Sequence, residues 1–248
     1  IYGDPHICHD MPQYDLEKIP HIEGTRLLMN RGALLLKAKQ MLEESEHPSP
    51  AERTTVIKFI IKAHMAFGDS LLLLHNRYHL NSTIKQTRLH RLLSTAHLPA
   101  PAELQSNYKR AIALRAWWEE SHEASFDLKQ ELARTADYFC RYFLWHESVR
   151  LKEPIPSAAD YARLLPHRSA SDTGLKPTLH NLQTFHSRAT TPDFRWLWTH
   201  PRLRLYAGIP CLLQHQPDLQ TARKILNGTQ DDLSSLTQTF LTLQRRFS

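Results

Sequence analysis

Apolar residues recur every three to four positions along most of this chain, the spacing that places them on one face of an α-helix. No segment alternates apolar and polar residues strictly enough to predict a β-strand. We therefore predict an all-α protein. The predicted helices span about residues 23–44, 51–78, 82–96, 102–120, 125–151, 157–165, 176–188, 201–213, 217–226 and 231–246.

Prolines and polar breaks divide the chain into three parts. Residues 1–21 contain three prolines and no periodicity, which predicts an extended lead-in. Residues 22–153 predict a helical bundle built on two long N-terminal helices, and residues 154–248 predict a second, more basic helical portion packed on it. With 7 glycines against 15 prolines, the chain lacks the glycine-rich loops that cradle phosphates and the tight turns of an all-β fold.

The second long helix carries apolar residues around most of its circumference, which is typical of a central helix. One strip is polar and contains Lys58, Lys62, Asp69 and Asn76. Polar groups on a central helix need partners or water. The strip therefore predicts one of two arrangements. Either the two ammonium groups, the carboxylate and the amide line a ligand-binding cleft, or the lysines reach solvent and Asp69 makes a structural ion pair.

The first long helix has Arg31 at the centre of its apolar face. A buried guanidinium needs a carboxylate to offset its desolvation, and we predict that Asp69 supplies it, directly or through one intervening group. Arg26 and Asn30 lie one turn apart on a separate strip, a spacing suited to gripping a phosphate or a carboxylate. The alternative for that strip is an exposed polar surface.

The net charge of +6 is concentrated in residues 154–229, a segment that also contains Trp196 and Trp198. Basic residues interleaved with aromatic residues predict a nucleic-acid-binding surface. The alternative is a solvated basic surface with the tryptophans in the core, since a net charge of this size is common among helical domains.

The cysteines and the apolar runs bear on location. Cys8, Cys140 and Cys211 form no CxxC motif, so we expect a reducing compartment and a cytoplasmic protein. No apolar run is long enough to span a bilayer, and no signal peptide is visible, so no membrane partner is expected. The chain opens at Ile1 in what reads as a loop after a strand, and we expect that residues before it are missing.

Two histidine-containing pairs are candidates for chemistry. His75 and His79 lie four residues apart on one predicted helix, a spacing that can hold a metal, but no carboxylates lie near them and no HExxH motif occurs, so we expect no metal site. Arg141 and His146 form an RxxxxH pair that resembles the one used by helical ribonucleases of the HEPN group. The alternative for Arg141 is a salt bridge with Asp137 one turn earlier.

Four stretches together resemble a known family: Ile1–Pro5, Gly24–Arg31, Gly68–His79 and His200–Leu205. They are similar to the junction and helical region that follows the catalytic domain in poorly characterised proteins of the nucleotidyltransferase superfamily, which has the DNA-polymerase-β-like fold. The resemblance implies that this chain is a helical half that helps to bind the acceptor substrate or the nucleotide, here a small-molecule or nucleotide ligand.

The catalytic half of that superfamily carries a Gly-Ser turn and paired metal-binding carboxylates on a strand. This chain has no Gly-Ser, and its only Asp-x-Glu, Asp15 to Glu17, sits between prolines without strand character. The resemblance therefore implies that the carboxylates lay before Ile1 or were never present, and that Mg²⁺ and a nucleotide belong to the full-length parent. We do not expect this chain alone to transfer nucleotides. Alternatives are a non-catalytic module that binds nucleic acid or protein, and the HEPN-type ribonuclease.

Overall fold

The computed structural model describes residues 15–45, 47–95, 97–117, 127–168, 179, 183, 185, 196 and 199–247. Within these residues the chain is predominantly helical and has no β-strand, which confirms the all-α prediction. A 3₁₀ helix at Leu16–Lys18 precedes the first α-helix, and another at Arg245–Phe247 follows the last. The α-helices are α1 (Ile22–Glu44), α2 (Pro50–Leu74), α3 (Ser82–Leu93), α4 (Pro101–Trp117), α5 (Leu128–Leu151), α6 (Ala158–Arg168), α7 (Pro201–Ala207), α8 (Ile209–Leu213), α9 (Leu219–Leu226) and α10 (Leu233–Gln244).

Local sequence signals fix both ends of α2. Ser49 is the N-cap and forms a capping box with Glu52, and Pro50 occupies the first helical turn. The helix ends at Leu74, four residues before the predicted end at Tyr78. Asn76 takes a left-handed conformation with φ 54°, and backbone N–H groups of residues 76 and 77 close back onto carbonyls of residues 73 and 72. This is a Schellman motif, for which asparagine is a known alternative to glycine.

Helices α1 and α2 lie antiparallel and form the centre of the bundle. His21, just before α1, contacts Asn76, just after α2, through a hydrogen bond of 3.1 Å from ring Nε2 to the side-chain oxygen. Helices α4 and α5 pack on α2, and α5 also packs on α1. Fully buried aromatic side chains join α2 to α5, with Phe67 in edge contact with Tyr138 at a ring separation of 5.0 Å.

The C-terminal helices share this core. Helices α8 and α10 pack on α1, and α8 also packs on α5. At Gly32 on α1, an added Cβ would lie 2.5 Å from the Phe139 ring and 2.6 Å from the Ile209 side chain, so glycine permits three helices to meet closely there. One continuous apolar cluster runs from Leu28 to Leu243. Of the remaining helix predictions, residues 201–213 form two helices joined at Gly208, and 176–188 lie mostly outside the described residues.

Within the described part of the chain, none of the helices is both long enough and apolar enough to cross a membrane.

Candidate functional site

A cavity of about 480 Å³ opens between α1, α2 and α4. Its wall combines an apolar part with charged side chains. The apolar part consists of Leu27, Ile61, Met65 and Ala66. The charged part consists of Arg31, Lys58, Lys62, Asp69 and Arg115. We call this space the central cavity. The sequence prediction of a cleft on α2 included Lys58, Lys62 and Asp69, and the structure brings these three residues together in it.

Among the described residues that line the central cavity, four cations stand against one carboxylate. The Nε atom of Arg31 is buried and has no hydrogen-bond partner among the described residues. Burial lowers the pKa of Arg31, and the negative charge of Asp69 acts in the opposite direction. Lys62 and Arg115 are exposed at the cavity and make no hydrogen bond or ion pair with the described parts of the chain. Lys62 and Arg115 therefore offer positively charged hydrogen-bond donors to the cavity, and no described residue uses them.

Asp69 is already engaged by other side chains. Its Oδ2 accepts a hydrogen bond of 2.9 Å from the buried Lys85 ammonium on α3, and its Oδ1 accepts one of 2.7 Å from the Tyr108 hydroxyl on α4. No direct ion pair joins Arg31 to Asp69, although both side chains line the central cavity. A pairing of the two through one intervening group stays a prediction. Lys85 reaches the Asp69 carboxylate from α3 and forms the direct ion pair that we predicted for Arg31. Arg31 is a neighbouring positive charge of Asp69 without a direct contact.

The contact between Tyr108 and α2 depends on Gly68. A Cβ at residue 68 would overlap the Tyr108 ring, so only glycine lets that ring lie flat against the α2 backbone. From this position the hydroxyl reaches Asp69. Burial and the nearby Asp69 carboxylate raise the pKa of Tyr108 well above its ordinary value, which keeps the hydroxyl a donor to the carboxylate.

Three predicted site residues lie elsewhere. Arg26 is exposed and makes a 2.7 Å ion pair with Glu23. The Asn30 side-chain oxygen accepts hydrogen bonds of 2.9 Å from Arg202 and 3.1 Å from the Tyr206 hydroxyl, so it connects α1 to α7. The structure gives each residue its own partners and does not bring either one to the central cavity. The anion grip of Arg26 and Asn30 stays a prediction.

Asn76 does not line the central cavity either. It occupies the left-handed position that ends α2, and its side-chain oxygen contacts His21. The helical projection that placed it in the polar strip assumed that α2 continued to Tyr78. Because the helix stops at Leu74, the projection does not apply to residue 76.

Sequence reasoning missed Arg115, Lys85 and Tyr108. All three lie on helices α3 and α4, whose rotation about their own axes is set by packing on α2. Tyr108 and Arg115 are seven residues apart on α4, a spacing that puts both on the side that meets α2. That spacing was a usable signal for Arg115, whereas no local pattern marks Lys85 as the partner of Asp69.

A second polar group is enclosed between α1 and α5. The Glu147 carboxylate is 0% exposed and accepts hydrogen bonds from the Thr25 hydroxyl at 2.5 Å, from His146 Nδ1 at 3.2 Å and from Arg150 at 2.9 and 2.6 Å. Burial alone raises the pKa of Glu147, but the hydrogen bonds and charges of Arg150 and His146 outweigh it and lower the value to about 2. We call these four residues the buried cluster.

The RxxxxH pair is divided between two environments. His146 is fully buried in the buried cluster, whereas Arg141 is exposed and makes a 2.9 Å ion pair with Asp137. That ion pair is the alternative that the sequence left open. A five-residue separation puts the two side chains on different faces of α5, so the structure does not bring them to one accessible site.

Basic residues of the segment 154–229 are partly used inside the fold. Arg204 is 1% exposed, donates from Nε to the Ile225 carbonyl at 2.8 Å, and lies 4.0 Å over the Phe185 ring. Burial lowers the pKa of Arg204 to about 10. Arg202 donates to Asn30. These two arginines stabilise the packing of α7, and Trp198 lies outside the described residues.

The structure also separates the histidine pair. His75 caps the end of α2, and His79 lies in the turn before α3, so the two residues do not share a helix. Among the residues that the structure describes, no three His, Cys, Asp or Glu side chains come together as a metal site.

Comparison of the chain with protein-family models, with curated proteins and with solved structures finds no match.

Proposed function

We propose that this chain is the ligand-binding helical domain of a nucleotidyltransferase-like protein, and that it holds a nucleotide or a similar phosphorylated small molecule in the central cavity. The observation that carries the proposal is the excess of cations in that cavity. Among the described residues, Arg31 keeps a buried Nε without an acceptor, and Asp69, the one carboxylate of the described wall, is already paired with Lys85.

The two parts of the cavity wall suit the two parts of a nucleotide. Guanidinium groups bind phosphoryl oxygens through a planar fork of N–H donors, and a lysine ammonium adds a point charge. Arg31, Arg115 and Lys62 supply these groups. The apolar side chains Leu27 and Met65 provide a surface on which the flat body of a base can pack.

The link to nucleotidyltransferases rests on the family resemblance. That resemblance places nucleotide transfer in a catalytic domain outside this chain. The resemblance implies that Mg²⁺ and the catalytic carboxylates belong to the full-length protein. In this chain, Asp69 is held by Lys85 and Tyr108. The full open reading frame tests this link. We expect it to encode a Gly-Ser turn and paired carboxylates upstream of Ile1. An upstream sequence without them would contradict the nucleotidyltransferase assignment and leave only the ligand-binding role.

We also propose a cytoplasmic location. Cys140 and Cys211 are buried free thiols, as is usual for proteins of reducing compartments. Burial raises the pKa of Cys140 to about 12, so the sulfur stays protonated and unreactive at neutral pH.

Calorimetric titration of the chain with ATP, ADP and AMP, in the presence of EDTA, tests the proposed ligand class. We expect affinity to fall from ATP to AMP as phosphate charge is removed, and to weaken with added salt. Replacing one cation that contacts the phosphates, by Lys62→Gln or Arg115→Gln, should weaken ATP binding about tenfold, the typical effect of losing one charged hydrogen bond.

Lys37→Gln is the matched control. Lys37 is an exposed lysine of α1 that does not line the central cavity, so its removal makes the same change in net charge. ATP binding that is equally weakened by Lys37→Gln, or unaffected by Lys62→Gln and Arg115→Gln together, would overturn the proposal.

A further inference from the structure

Three arginines line one hollow between the end of α2 and helix α3. The hollow has a volume of about 450 Å³ and is lined by Arg77, Arg88, Arg91 and Leu92. No carboxylate is among these lining residues. We call this space the arginine hollow.

The fold fixes the backbone that carries the arginines. The Arg77 N–H donates to the Leu72 carbonyl at 2.7 Å in the motif that ends α2. Nη1 of Arg88 donates to the carbonyls of Arg77 and Tyr78, at 3.0 and 3.1 Å. Arg91 follows Arg88 by three residues on α3, so the two side chains are neighbours on one side of that helix. The backbone under the hollow is therefore fixed before any ligand arrives.

The charged ends of these arginines remain open to a ligand. Arg77 and Arg91 are exposed, and neither guanidinium makes a hydrogen bond or ion pair with the residues that the structure describes. Arg88 uses Nη1 for the two carbonyls, and no hydrogen bond from its other guanidinium nitrogens joins a described residue. Guanidinium groups that line one hollow repel one another, and a multiply charged anion bound between them removes that repulsion.

We propose that the arginine hollow is a second anion-binding site, specific for a phosphoryl group and separate from the central cavity. Phosphoryl oxygens match the fork geometry of several guanidinium groups at once, and two negative charges balance more of the cluster than a carboxylate does.

Two sources of that phosphoryl group are distinguishable. Leu80 is 75% exposed and Ile84 is 38% exposed, and both lie beside the arginines in sequence, Ile84 one turn before Arg88. Exposed apolar side chains next to a phosphate site can insert among the acyl chains while the arginines bind the lipid phosphate, whereas a free phosphate compound does not require them.

The test is a calorimetric titration of inorganic pyrophosphate into the full chain, repeated with Arg77→Gln, with Arg91→Gln and with both changes. Arg88 is left intact because it supports the backbone. We expect about tenfold weaker binding for each single variant. The control is Arg134→Gln, an exposed arginine of α5 outside the hollow, which should leave the affinity unchanged.

The same variants are also made in a Lys62→Gln, Arg115→Gln background. This background removes two cations of the central cavity, so that failure of the arginine hollow is distinguished from failure of the central cavity. If the central cavity does not bind anions, the effect of Arg77→Gln and Arg91→Gln persists there. Pyrophosphate binding that the double arginine variant does not weaken in either background overturns the arginine hollow as a site, whatever the result for ATP.

Co-sedimentation with phosphatidylcholine vesicles, with and without phosphatidic acid, identifies the source. Binding that requires phosphatidic acid, is lost in Arg77→Gln with Arg91→Gln and weakens in Leu80→Ser supports the site with a headgroup ligand. Pyrophosphate binding without vesicle binding supports it with a free phosphate compound. Vesicle binding that persists in the double arginine variant, together with unchanged pyrophosphate binding, contradicts the proposal.

Discussion

The central cavity and the buried cluster both place charges among apolar helices, yet they balance those charges differently. In the buried cluster, the Glu147 carboxylate is 0% exposed and accepts hydrogen bonds from Thr25, His146 and Arg150. In the central cavity, Arg31, Lys62 and Arg115 line the wall, and Asp69, the one carboxylate among the described lining residues, is paired with Lys85.

This difference separates a structural role from a binding role. A buried charge that only supports the fold needs an opposite charge or hydrogen-bond partners inside the protein, because desolvation is otherwise too costly. Glu147 has both, and Arg204 donates to a backbone carbonyl. Cations that the fold leaves without carboxylates at a cavity can accept an anion without losing an internal partner. The same criterion, applied to α3, singles out the arginine hollow.

The largest expected effect is on the buried cluster. Glu147→Gln removes the negative charge and leaves the Arg150 guanidinium unbalanced, so we expect the free energy of unfolding to fall by roughly 3–5 kcal/mol. Urea denaturation measures it. Asp137→Asn, which breaks the exposed ion pair with Arg141, is the control and should cost about 1 kcal/mol or less. Equal costs for the two variants would remove the distinction drawn above.

Acid should destabilise the fold through buried groups that are held in their unprotonated form. Burial, with the charge of Arg110, lowers the pKa of His64 from 6.5 to about 4. The unfolded chain therefore takes up the proton first, and the stability present above pH 6.5 is lost as the pH falls to about 4, by about 3 kcal/mol.

Glu147 extends that loss further into acid. The pKa of Glu147 is lowered to about 2, so the stability from its ionised form is present above its unfolded value of 4.5 and is lost as the pH falls toward 2. Urea denaturation at pH 7, 5.5, 4 and 3 checks both groups. A free energy of unfolding that is constant from pH 7 to pH 4 would show that His64 is not buried as a neutral ring.

A smaller effect is expected where the cavity wall depends on close packing. Gly68→Ala forces the Tyr108 ring away from α2, and overpacking of this kind costs about 1–3 kcal/mol. Thermal unfolding measures it. Gly208→Ala is the matched control, because its nearest contact for a Cβ is 3.3 Å, at the Leu205 carbonyl oxygen, so its cost should be lower. If Gly68→Ala is the milder of the two, Tyr108 is not held against α2.

The sequence was sufficient for the fold class and for part of the cavity. Apolar periodicity and proline breaks predict the helices, and the polar strip of α2 identifies Lys58, Lys62 and Asp69. It was not sufficient for Lys85, because a lysine on a short helix carries no local mark of the carboxylate that it will reach. Asn76 was misplaced for a local reason: a left-handed residue ended α2 within a run that otherwise favours helix.

The most direct measurement is the thermal unfolding of the Lys62→Gln, Arg115→Gln double variant with and without ATP. Without ATP, we expect its Tm to equal or slightly exceed that of the unsubstituted chain, because these cations have no described partner to lose and repulsion between them is relieved. With ATP at about one hundred times the Kd of the unsubstituted chain, the Tm of that chain should rise by roughly 5–10 °C and that of the double variant by about 1 °C. A double variant that is destabilised without ATP, or that keeps the full rise with ATP, would contradict the assignment of the central cavity as the ligand site.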